Sequence, residues 1–312
     1  MSTIEAKPLQ LLSCDQHTQL RVVVWEPEGD ERGIVQLVHG MAEYIMRYDR
    51  FAQFLAQKGY LVIGHDHVGH GKSVDSTSDW GNLPIKNGKD ILVGDVGKVR
   101  QKALELASVQ HPYFLFGHSM GSFVVRSYIA AHGEGLDGAI ICGTGHVPPA
   151  ASRGGNALAH LIAKVRGERY VSKLLGDLSI GAYAKAIPDA RTPLDWLSYN
   201  RQNVDDYIAD PQCGFSFTAG GNAALTALTG EVCSAACCRR VPHQLPLLFV
   251  AGDGDPVGDM GKGVRTAAKM ARDAGSEDVT CTIYEHMRHE ILNEDDAQRV
   301  FDDIANWMEA HA

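Results

Sequence analysis

Along this chain, short apolar runs bounded by turn residues alternate with longer amphipathic stretches of helical period. Strands covered on both faces read as continuous apolar runs, and parallel neighbours need a crossover between them. The alternation therefore predicts a mostly parallel sheet wrapped by helices. The runs place strands at Ile34 to Val38, Leu61 to Gly64, Tyr113 to Phe116, Gly138 to Cys142, Leu247 to Ala251 and Val279 to Tyr284, with Arg21 to Trp25 as an antiparallel edge at the start. Phe51, Phe54 and Leu55 mark one helix face, and Val300, Phe301, Ile304, Trp307 and Met308 mark the last helix. Both are core faces that imply no chemistry.

The alternation stops at Pro148-Pro149 and resumes only after Pro242 and Pro246. In between, Leu158, Leu161, Ile162 and Val165 fall at helical spacing, and small residues with glycine near Gly176, Gly181 and Gly220 to Gly221 predict breaks. The expectation is an α/β core built from residues 1–145 and 242–312, with a helical insertion over residues 146–241. The insertion sits on the sheet as a cap or lid, or as a plain second packing layer.

Composition narrows the function classes. With 312 residues, 45% of them hydrophobic, the chain can build one large core but not two ordinary enzyme domains. A net charge of -9 leaves no basic field to hold phosphates, which excludes a nucleic-acid partner and disfavours simple electrostatic docking on an anionic membrane. No run is long and apolar enough for a transmembrane segment, and no charged n-region precedes an apolar stretch at the start, so a soluble cytoplasmic protein is expected. The odd count of seven cysteines and the lack of any Asn-x-Ser/Thr acceptor suit a reducing compartment. Cys233, Cys237 and Cys238 lack a CxxC pair and read as thiols of a helix rather than metal ligands.

The chemistry concentrates in three turns. Tyr113 to Ser122 runs from an apolar strand straight into a helical segment, with Gly117-x-Ser119-x-Gly121 at the junction. A serine on such a sharp turn presents its hydroxyl above the sheet at a helix N-terminus, and the flanking glycines omit side chains that the turn has no room for. A serine hydroxyl needs an imidazole to take its proton, and the imidazole needs a carboxylate to fix its tautomer. Both follow in the chain order that this strand–turn–helix arrangement uses. Gly252 to Asp259 holds three aspartates; Asp255 precedes a proline that keeps it extended, while Asp253 and Asp259 suit turn formation. Of His286 and His289, the second is preferred as base, because the first lies too close to the strand end. Donors for a developing oxyanion fall at the amide of Met120 and, after the strand Ile34 to Val38, at the amide of Met41 in His39-Gly40-Met41-Ala42-Glu43.

His39-Gly40-x-x-Glu43, Asp66-His67-x-Gly69-His70-Gly71-x-Ser73, Gly117-His118-Ser119-Met120-Gly121, the Asp255 turn and His289-x-x-x-x-Glu294, in that order, resemble the monoacylglycerol lipase and lysophospholipase group of α/β-hydrolases. The resemblance spans nearly the whole chain outside the insertion. It implies Ser119, Asp255 and His289 as a catalytic triad, Met41 and Met120 as oxyanion donors, no cofactor, and a cap over an acyl pocket. The substrate class so implied is a monoacylglycerol, a lysophospholipid or a similar single-chain ester, with transient contact between the cap and lipid surfaces. Thioesterase or acyltransferase chemistry and small-ester hydrolysis use the same triad, and a non-catalytic binding protein is the reading from another class. The group often has glycine where Ala42 stands, so the extra methyl bears on substrate bulk. Trp196, Tyr199, Phe215 and Phe217 either line the pocket or pack the cap. Two resemblances to other sites are set aside. Gly71-Lys72-Ser73 lacks the glycine a phosphate loop needs, since Asp66 stands there, and His65, His67 and His70 read as a structural turn beside the oxyanion loop rather than as metal ligands.

Overall fold

The computed structural model describes residues 3–178, 180–188 and 190–312. An eight-stranded sheet runs through it: β1 (Ala6–Leu12), β2 (Gln19–Trp25), β3 (Gly33–Val38), β4 (Tyr60–His65), β5 (Tyr113–His118), β6 (Gly138–Cys142), β7 (Leu247–Gly252) and β8 (Val279–Tyr284), in the spatial order β1-β2-β4-β3-β5-β6-β7-β8. From β4 to β8 every pairing is parallel, and β1 and β2 are antiparallel additions at one edge. The expected strands all form. β1 is the addition, and its half-exposed pattern and Pro8 belong to an edge strand.

Helices α1 (Asp49–Gln57), α2 (Gly88–Leu106) and α3 (Met120–His132) cross between the early strands; α4 (Pro149–Arg166), α5 (Lys173–Leu178), α6 (Ile180–Ala184), α7 (Arg201–Ala209), α8 (Ala219–Val232) and α9 (Ala235–Cys238) lie between β6 and β7; α10 (Lys262–Asp273) and α11 (Ala297–Ala310) complete the chain. Side chains alternate across the sheet. Phe114 and Phe116 of β5 pack with Phe51 of α1 and Phe301 of α11 on one face, while Tyr113 and Leu115 pack with α2, α3 and α10 on the other. The Phe51 and Phe301 rings lie 4.9 Å apart, and each such fully buried side chain contributes about 1.5–3 kcal/mol by leaving water.

The segment between β6 and β7 differs in detail from its sequence pattern. Gly176 lies near the end of α5 and Gly181 at the start of α6, while Gly220 and Gly221 lie in the first turn of α8 rather than at a break, where Thr218 accepts a hydrogen bond from the Gly221 amide at 3.2 Å. A Cβ on Gly220 would meet the Leu83 carbonyl oxygen at 2.0 Å, so glycine is what lets α8 lie against that loop. On α4 the residues at helical spacing do not form one buried face. Leu158 and Ile162 are half-buried, whereas Leu161 and Val165 are 59% and 71% exposed. α8 instead buries Ala224, Leu228 and Val232 in the same core as α3.

Candidate active site

The C-terminal ends of β3, β5, β6, β7 and β8 open at one edge of the sheet, where open parallel sheets gather their functional loops. Ser119 follows β5 and caps α3, with φ 53° and ψ -121°. That left-handed geometry is costly for a residue with a side chain and persists where the surroundings enforce it. The surroundings here are backbone at close range: a Cβ on Gly117 would lie 2.4 Å from the Gly121 carbonyl oxygen, and one on Gly121 would lie 2.2 Å from that of Val38. The Ser119 amide donates to the Cys142 carbonyl at 3.0 Å, which fixes the turn against β6.

Asp255 is wholly buried in the turn after β7 and accepts the Val257 amide at 2.9 Å through Oδ1. Its Oδ2 lies 3.0 Å from His289 Nδ1, and His289 is buried too. Asp253 and His286 are both exposed. Of the alternatives open in the sequence, the fold therefore brings Asp255 and His289 together and leaves the other two at the surface. Met41, Ser119, Met120 and His289 all line one cavity of about 560 Å³, whose other walls include Leu158, Leu175, Leu178, Ile180 and Leu225. No acceptor among the described residues takes the amide N–H of Met41 or Met120.

This arrangement can be set beside known proteins. The family described as serine aminopeptidase, S33, matches residues 29–296. A monoacylglycerol lipase of Mycolicibacterium smegmatis is 30% identical over 294 residues, covering 92% of each chain. The chain belongs to the monoacylglycerol-lipase-like α/β-hydrolases. The human monoglyceride lipase is 27% identical over 297 residues, covering 91% of this chain and 84% of that one. Among solved structures, a thermostable carboxyl esterase from Bacillus coagulans in complex with glycerol superposes with a TM-score of 0.90 at 32% identity, over 99% of both chains. The expected resemblance holds, and this member of the family is a carboxylic ester hydrolase.

Around the cavity of this hydrolase runs a buried ionic network whose middle the sequence did not reveal. Arg47 donates to Glu43 Oε2 at 3.0 Å and grips Glu290 with two bonds of 2.5 and 2.7 Å. It also reaches Asn203 of α7 at 3.1 Å and lies over the Tyr207 ring. Glu43 in turn accepts the Gly40 amide at 2.6 Å and the Tyr48 hydroxyl at 2.8 Å. Burial works against the charges of Glu43 and Glu290, but hydrogen bonds to Glu43 and the Arg47 guanidinium hold both carboxyls below their usual range. The signal available in the sequence was local: Arg47 stands one helical turn after Glu43, and Glu290 adjoins His289.

The histidine-rich stretch packs as a turn beside the Gly40 loop. The His67 amide donates to His39 Nε2 at 2.9 Å, and the carboxylate of Asp66 accepts the amides of Ile45 and Lys72, both at 2.8 Å. Ser73 Oγ donates to the Asp66 carbonyl at 2.7 Å, a turn contact that has nothing to do with phosphate. Ala42 has φ 54° and does not line the cavity. Its carbonyl accepts Tyr207 Oη–H at 2.7 Å and the Gly214 amide at 3.0 Å, so the methyl expected to bear on substrate bulk stands on a backbone junction off the cavity wall. Among the four aromatic candidates Trp196 lines the cavity, its ring 5.1 Å from that of His289. Tyr199 is exposed beneath Arg288, and Phe215 and Phe217 pack on His70.

Proposed function

We propose that Ser119, Asp255 and His289 form a catalytic triad that hydrolyses single-chain carboxylic esters through an acyl-enzyme. Ser119 Oγ attacks the ester carbonyl carbon while His289 Nε2 takes its proton, and Asp255 holds the other ring nitrogen. The amides of Met41 and Met120 receive the oxyanion. His289 then passes the proton to the departing alcohol oxygen, the C–O bond breaks, and a water repeats the sequence on the acyl-enzyme to release the acid. The observation that carries this reading is the meeting of Ser119, His289, Met41 and Met120 on the wall of one mostly apolar cavity.

Residues 146–241 act in this reading as a cap that shapes the acyl site, with monoacylglycerols and lysophospholipids as the substrate class. Support comes from the leucines of α4, α5 and α8 in the cavity wall and from the named activities of the relatives. Leu178 both lines the cavity and is 64% exposed, exposed Leu174 lies with it on α5, and exposed Leu161 and Val165 lie on α4. These side chains are suited to transient contact with a lipid surface. No helix among the described residues is long and apolar enough to cross a membrane. The likeness to a carboxyl esterase favours small-ester hydrolysis as the second reading. The test is labelling by a fluorophosphonate probe together with Ser119→Ala. The probe should modify Ser119, and the variant should retain its fold and lose turnover by several orders of magnitude. A variant keeping more than a few per cent of turnover would remove Ser119 from the mechanism.

A further inference from the structure

His118 ends β5 next to Ser119 and is almost completely buried. Both of its ring nitrogens face acceptors. Nδ1 lies 3.3 Å from Glu43 Oε1, and Nε2 lies 3.1 Å from the backbone carbonyl oxygen of His289. Neither a carboxylate nor a carbonyl has a proton to give, so a neutral imidazole would set lone pair against lone pair on one side. A doubly protonated ring donates on both. The charges around it lead to the same state: Glu43 and Glu290 are two buried carboxylates that share the single guanidinium of Arg47, which leaves the network one positive charge short.

We propose that His118 is a standing imidazolium that completes this network and positions His289, holding its backbone carbonyl through Nε2–H at 3.1 Å with the two ring centroids 4.7 Å apart. The proposal rests on reading His289 as the general base. Burial opposes the His118 charge, but the hydrogen bond and charge of Glu43, then the charge of Glu290 and the His289 carbonyl, outweigh it and raise its pKa. The other groups facing the pair are Tyr48 from the loop after β3, Cys142 from β6 and Asp255 from the turn after β7. Tyr48 and Cys142 are pushed well up by burial and nearby carboxylates and stay uncharged. Without His118, the network would keep an uncompensated negative charge and the His289 carbonyl would lose its donor, so the ring of the base would be less firmly placed.

Nitrogen NMR of the full chain with labelled histidine, assigned by His118→Asn, reads the ring directly. The expected spectrum shows both His118 nitrogens protonated at pH 7, and a single neutral tautomer at that pH overturns the proposal without any variant having to be active. In parallel, His118→Asn should lower kcat by on the order of tenfold with KM little changed, because it removes the donor that fixes the His289 carbonyl. A folded variant with native kcat would leave His118 as a packing residue only. Fluorophosphonate labelling and His289→Ala report on the triad separately: if they fail, the reading of the base falls while the NMR result still decides the state of His118.

Discussion

Side chains that differ by two positions in sequence have very different consequences here. Asp255→Asn should cost about 10⁴ in kcat, because an amide no longer holds the imidazole in its productive tautomer, whereas Asp253→Asn at the exposed start of the same turn should stay near native turnover. Similar losses in both would undo the choice of acid. A second residue-scale prediction concerns Gly143, which has φ 58° and on which a Cβ would lie 3.1 Å from His118 Cδ2 and 3.2 Å from His289 Cε1. Gly143→Ala should lower kcat at least tenfold with KM little changed, since it crowds the two imidazoles from a position that is not part of the cavity wall. A rise in KM alone would contradict that. The residues that bear the expected chemistry were legible because each follows an apolar strand within a few positions. Gly143 does so too, but nothing in its type or spacing announces that two imidazoles pack on it.

Among the elements, the sheet was readable and the insertion only partly so. Strands buried on both faces have no polar alternative, so β3 to β7 could be drawn from their apolar runs. β1 escaped because Pro8 argues against a strand unless its amide side faces away from the ladder. In α4 the periodicity identified a helix without saying which stripe would be covered. Its fully buried positions are the small Ser152 and Ala159, since α4 lies close on α8, where a Cβ on Gly155 would come within 3.1 Å of Thr226. The inner walls of these helices set an acyl-chain test. Efficiency should rise about fourfold per added methylene, at about 0.8 kcal/mol each, until the cavity is filled. Leu225→Trp, on the firmly packed α8, should cut efficiency on long-chain p-nitrophenyl esters at least tenfold while sparing the acetyl ester. A native preference for acetyl with no gain along the series would leave a small-ester esterase.

For the molecule as a whole, pH is the revealing variable. His39, His65 and His70 are fully buried, and burial first, then the charge of His70 on the other two, pushes their pKa values down to about 3, 4 and 4. The unfolded chain takes these protons at about 6.5, so the stability they confer is fully present above that pH and is lost as pH falls toward the folded values. At pH 5 each imidazole gives up about 2 kcal/mol, a large share of the 5–15 kcal/mol typical of a domain. His118, raised in the folded state, works in the opposite sense, its contribution present below about 6.5 and lost only as pH rises through its folded value. Tm should therefore drop steeply between pH 6.5 and 5, and a flat profile across that window would mean that the buried imidazoles accept protons without unfolding. The sequence showed the histidines but not their burial, which depends on β4 lying inside the sheet.

The Arg47 clasp also bears on exchange of parts between relatives. Arg47, Glu43 and Glu290 belong to the sheet scaffold, but Asn203 and Tyr207, which close the clasp, arrive on α7. A chimaera that transplants residues 146–241 from another hydrolase would bring its own α7 to this arginine. Grafts that carry an amide and an aromatic ring in register with Asn203 and Tyr207 would seat on the scaffold. Those without them would leave a guanidinium and two carboxylates with an unfilled side, and the tolerance of this fold for borrowed specificity would end there.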